Sequence, residues 1–265
     1  MGAMNTMERT VGDVLRDWRQ RRHHSQLSLA NETGMSARHL SFLETGRSKP
    51  SRDMLLRLAD RLELPLRERN TLLLAGGYAP VYPERALDDA NLRHVREAVD
   101  LILRGHEPYP ALAVDRYWNM VAMNGAVPML LEEVSPKLLE PPVNVLRVCF
   151  HPEGLPPVVD NPDTLFSALL ARLDHEVSLT ADPRLVELRE ELAGYPVMKG
   201  RKPARSDRQE IVVPFALRTP AGVVRFISTT TVFGTATDVT VSELAIESFF
   251  PADTESSELI RRLAT

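Results

Sequence analysis

Arg38, Arg47 and Lys49, with Gln26, Ser41 and Phe42 close by in the chain, are residues whose types suit contact with a nucleic acid. A guanidinium such as that of Arg38 can grip guanine O6 and N7 in a two-pronged way, and Ala37 or Phe42 can touch a thymine methyl. Gln26, Arg47 and Lys49 suit backbone phosphates, contacts that set register and carry no sequence information. Ser36 and His39 complete the candidate set. Taken alone, Arg38 also reads as a solvated helix arginine, and His39 equally as a ring stacked on a helix start.

The elements around these residues decide between the readings. Residues 25–51 read as two short helices joined by a tight turn and followed by a basic loop. Ser25 caps the first helix, whose apolar side is expected to be Leu27, Leu29 and Ala30. Gly34 supplies the turn, Ser36 caps the second helix, and Leu40 and Leu43 form its buried stripe. This is a helix-turn-helix, whose second helix lies in the major groove with its N-terminal residues facing base edges. A preceding helix carries Val11, Leu15 and Trp18, and two more follow, from Ser51 through Leu62 and from Leu66 to Leu74. The ordered set Gln26, Gly34, Ser36, Leu40, Glu44–Gly46 and Pro50–Ser51 resembles the lambda-repressor-like (XRE-type) DNA-binding domain, over residues 9–80. The resemblance implies an all-α domain that binds double-stranded operator DNA as a homodimer.

Charge points the same way. Residues 1–80 hold 13 Lys+Arg against 9 Asp+Glu, a net of +4, whereas the remainder nets −8. One end attracts phosphate and the other repels it. Cys149 stands alone in an apolar context, so neither a disulfide framework nor paired zinc thiolates is expected, and a reducing cytoplasm fits. No apolar run approaches the ~20 residues of a membrane helix, and no secretory leader precedes Arg9. The match of Met1–Thr6 to an N-myristoylation pattern is discounted.

Residues 76–91 concentrate Gly, Pro and Asp and read as a domain boundary. Residues 92–265 form the second domain. An amphipathic helix runs from Leu92 to Arg104 with Val95, Val99, Leu101, Ile102 and Leu103 as its apolar residues. Short extended pieces at Ala111–Val114 and Met120–Met123 surround Tyr117-Trp118-Asn119. Helical segments follow at 126–133, 143–150, 163–177 and 183–193. The chain then turns β-rich at 211–217, 223–232 and 244–250, and ends in a helix at 256–263. Two early strands, a helical insert and three late antiparallel strands match an α+β PAS-like domain with an antiparallel sheet.

Asp115–Asn119, Asn124, the run from Asn144 to Arg147 and above all His151-Pro152-Glu153-Gly154-Leu155 resemble the MmyB-like family of bacterial regulators. In that family an XRE-type domain precedes a PAS-like ligand-binding domain. The resemblance implies a sensory second domain and a small apolar or acyl-type ligand, such as a bound fatty acid. Candidate contacts are Trp118, Leu165, Leu169, Phe215 and Phe226 as apolar wall. Arg147 and His151, four apart, would share a helix face and hold a ligand carboxylate. The alternative pairs Arg147 with an acid such as Asp160 and leaves His151 to cap a helix. His175 reads as structural, and the basic run 199–205 as a solvated loop that could also brush DNA or an anionic ligand.

The chain has no G-x-S-x-G elbow, phosphate loop, H-E-x-x-H or dinucleotide fingerprint, and Asp174-His175-Glu176 points in three directions on a helix. It is therefore read as a regulator without catalysis, cofactor or metal. The alternative to a sensor is a second domain that serves only as a dimerisation or protein-partner module.

Overall fold

The structure is a computed structural model and describes residues 9–180, 182–198 and 212–263. The expected contact run 199–205, the start of the 211–217 strand and Met1–Thr6 lie outside the described residues. The chain divides into two compact units, with the main division after Glu84.

The first unit is built from α1 (Val11–Arg21), α2 (Gln26–Glu32), α3 (Ala37–Glu44), α4 (Arg52–Arg61) and α5 (Leu66–Ala75). Four of these helices start where a side-chain oxygen accepts an otherwise orphaned backbone N–H. Thr10 makes a reciprocal capping box with Asp13, and Ser25, Ser36 and Ser51 accept from Ser28, His39 and Met54. Gly34 (φ +70°) and Gly46 (φ +71°) make the turns after α2 and α3 in a left-handed conformation that a Cβ would disfavour. Leu29, Leu40, Leu43, Leu55, Leu58 and Leu72 meet in one core. Leu27 does not join them and is 60% exposed. At 100° per residue it lies ~200° round α2 from Leu29, and so points away from the side that packs.

The second unit begins with α6 (Arg93–Gly105), then β1 (Ala111–Val114) and β2 (Met120–Met123). A helical insert of α7 (Val145–Phe150), α8 (Pro162–Thr180) and α9 (Pro183–Gly194) leads to β3 (Phe215–Thr219) and β4 (Gly222–Val232). The short α10 (Val239–Ser242), β5 (Ala245–Pro251) and α11 (Thr254–Leu263) complete it. The strands form one antiparallel sheet in the order β2-β1-β5-β4-β3. This is the PAS-like arrangement. The segment 126–133 is helical only as a 3-10 turn, Val127–Leu130, with Pro128 in its first turn.

Alternation along the strands divides the residues between the two faces of the sheet. Ala111, Ala113 and Ile246 pack with Val99 and Leu103 of α6. Leu101 and Ile102 of α6 are instead exposed, at 74% and 38%. Register places Leu112 opposite Glu247, and Ser228 opposite Phe249, on the other face. That second face meets the helical insert.

Candidate nucleic-acid interface and ligand cavity

In the first unit, Glu44 at the end of α3 ties three helices together. Its carboxylate, with no exposed side-chain surface, accepts from Arg19 Nε at 2.6 Å and Nη2 at 2.9 Å. Gln26 Nε2 donates to it at 2.8 Å, and Arg16 Nη2 donates to the Glu44 carbonyl at 2.9 Å. Burial alone would raise the Glu44 pKa, but the bonds from Arg19 and Gln26 outweigh it and hold the carboxyl below its usual range. The start of α2 is thereby bound to the end of α3.

On α3, Leu40, Leu43 and Glu44 face inward. Arg38 is exposed, and Ala37, His39, Ser41 and Phe42 are partly exposed. The Phe42 ring carries two arginines, with Cζ of Arg38 at 5.3 Å and of Arg47 at 5.9 Å from its centroid. The Arg47 backbone N–H donates to the Phe42 carbonyl at 2.8 Å. Ser36 is committed as the α3 cap, and Lys49 is exposed on the following loop.

In the second unit, the β1–β2 connection builds one wall of a cavity. The Asp115 carboxylate accepts from the backbone N–H groups of Tyr117 and Asn119 at 2.8 and 2.9 Å, and from Asn119 Nδ2 at 3.0 Å. These bonds hold Trp118 at φ +66°, a left-handed conformation that costs a non-glycine residue roughly 1–2 kcal/mol. Trp118 is thus turned inward, 4% exposed, and its Nε1–H donates to Glu176 Oε2 at 2.8 Å. Asn144 caps α7 and donates to the Tyr117 carbonyl at 2.7 Å. Buried Asn124 accepts from Ala111 N–H and donates to the carbonyls of Leu103 and Tyr109. The polar residues of these motifs hold backbone in place.

The cavity between sheet and insert has a volume of about 100 Å³. That is the order of an engineered apolar cavity of ~150 Å³ that stays dry and takes up benzene. Trp118, Leu165, Leu169 and Phe215 are in its lining, as are Leu112, Leu146 and Phe249. Burial pushes the Cys149 thiol, also in the lining, up to about 12, so it behaves as a small apolar group.

Phe226 is fully buried beside Phe215 and Phe249, outside that lining. Arg147 and His151 are outside it too. Arg147 forks onto Glu191, Nη2 to Oε2 at 2.8 Å, while Asp160 pairs with Arg218. α7 ends at Phe150, and His151 is its extended C-cap (ψ 140°), so the four-residue helical spacing does not carry through. The His151 ring packs edge-on against Tyr195.

The cation that does reach the cavity is Arg172 of α8. Its Nη2 donates to Glu247 Oε1 at 2.7 Å, its Nε lies 3.5 Å from Glu176 Oε1, and its Cζ is 4.4 Å from the Trp118 ring centroid. Arg172, Ser228 and Glu247 all belong to the lining. No sequence signal marks this group, since Arg172 and Glu247 are 75 residues apart.

A helix-turn-helix unit followed by a PAS-like unit with an internal apolar cavity defines a DNA-binding regulator with a ligand-binding domain. Residues 10–72 match the helix-turn-helix domain family, and residues 95–263 match the family described as MmyB-like transcription regulator ligand binding domain. The chain belongs to the MmyB-like family of transcription regulators. No curated protein gives a match to it. Among the described residues no helix is long and apolar enough to cross a membrane.

Proposed function

We propose that this chain is a ligand-responsive transcription regulator that binds an operator as a homodimer and changes its affinity when a small apolar, acyl-type molecule fills the second domain. The observation that carries the reading is the apolar cavity walled by Trp118, Leu165, Leu169 and Phe215 in a chain that also holds a helix-turn-helix. On this reading Arg38 contacts a base edge, with Ala37, Ser41 and Phe42 against the groove floor. Ser36, His39, Gln26, Arg47 and Lys49 flank it along the phosphates. Two such helices in a dimer would enter successive major grooves ~34 Å apart. The ligand's effect is bounded by its differential affinity for the two states of the dimer.

Mass spectrometry of the purified full chain, native and then after organic extraction, tests the sensor half. A stoichiometric small apolar molecule supports it. A clean chain mass, together with no uptake of any apolar probe, refutes it. A second reading makes the second domain a dimerisation module, favoured by the exposed Val121 and Met123 on edge strand β2 and Val232 on β4. It requires a dimer that loses self-association when residues 92–265 are deleted and a cavity that binds nothing.

A further inference from the structure

We propose that the cavity selects an aliphatic ligand whose head donates a hydrogen bond, such as an alcohol or amide, and discriminates against the free carboxylate of the same chain; this rests on the cavity being the ligand site. The polar end of the cavity is the reason. Its one cation among the described lining residues, Arg172, is already engaged by two carboxylates, Glu247 at 2.7 Å and Glu176 at 3.5 Å. Its guanidinium face is also taken, lying 4.4 Å from the centroid of Trp118. A ligand carboxylate placed here would be a third negative charge around a single positive one, inside apolar walls that screen it poorly.

The other groups point to a donor. Glu247 is 5% exposed and sits on the cavity face of β5 between Leu112 and Thr230. Its oxygens accept from Arg172 and from Thr230 Oγ1 at 3.1 and 3.3 Å. An ionised carboxylate has about four lone-pair sites, so acceptor capacity remains for a ligand O–H or N–H. Ser228, two residues along β4 from Thr230 and on the same face, adds a hydroxyl that can accept or donate. The pocket therefore presents acceptors at its polar end and apolar surface elsewhere. An uncharged head brings no net charge into that site.

The test is isothermal titration calorimetry on the full chain at pH 7.5 with 1-octanol and octanoate, probes of equal chain length. The expected result is octanol binding at least tenfold tighter. Glu247→Gln should narrow that gap at least threefold by removing one of the competing charges. Octanoate binding as tightly as octanol to the unaltered chain, or an unchanged gap in the variant, overturns the head-group proposal and leaves the cavity as a ligand site. Failure of both probes to bind removes the cavity reading, and the head-group proposal with it.

Discussion

The guanidinium of Arg19 on α1 meets the carboxylate of Glu44 on α3 through two bonds, at 2.6 and 2.9 Å, across 25 residues of chain. Gln26 on α2 joins the same carboxylate. Glu44→Ala strips the partner from a buried cation, and breaking such a pair costs about 3–5 kcal/mol. The expected outcome is a first unit destabilised by that amount in chemical denaturation, with weakened DNA binding. The depressed Glu44 pKa also sets a pH window. Its contribution to stability is present above the ordinary glutamate value of 4.5 and is lost as pH falls through the lower folded-state value. Glu44→Gln should flatten the stability–pH curve below pH 4.5.

Arg38 and Arg47 lean on the same ring yet should fail differently. Arg38→Ala is expected to cost about 1–3 kcal/mol of operator affinity and to relax the preference at one base position. Arg47→Ala should weaken all sequences alike and lower the slope of log affinity against log salt by about 1. Binding to a panel of single-base operator variants at several salt concentrations separates the two. A uniform loss for Arg38→Ala would make it a phosphate contact.

Burial drives the Glu176 carboxyl above its usual range, against the bonds from Trp118 and Arg172 that pull it down. A raised acid contributes stability that is fully present below its unfolded value of about 4.5 and is lost as pH rises through the folded-state value. Glu176→Gln keeps an acceptor for Trp118 Nε1. It should stabilise the second unit at pH 7 relative to pH 4.5, measured by thermal unfolding at both pH values.

Leu169 is partly buried and in the cavity lining. Leu169→Trp should occupy the space and abolish uptake of apolar probes, at an overpacking cost of about 1–3 kcal/mol. Operator affinity should no longer respond to added probe, because the cavity that would receive it is already filled. Retained probe uptake would mean that the ligand binds elsewhere.

Much of the fold was legible because its signals are local. The serine caps and the left-handed Gly34 and Gly46 each depend on a few neighbouring residues. Leu27 and Leu101 were misplaced, since an apolar letter on a short helix does not say which side finds a partner. The Arg147–His151 pairing assumed a helix running one residue further than α7 does. The Arg19–Glu44 and Arg172–Glu247 contacts could not be read at all. Each joins elements far apart in the chain, and nothing in a single sequence records which distant acid a given arginine will meet.

The most direct measurement is operator affinity by fluorescence anisotropy, on DNA selected from a random pool, for the same protein with its cavity emptied and then filled with 1-octanol. Occupancy of each sample should be verified by native mass spectrometry. The account predicts midpoints separated by at least fivefold, the lower end of typical coupling between two sites. Superimposable isotherms for empty and filled protein would contradict it, leaving a DNA-binding protein whose cavity plays no part in regulation.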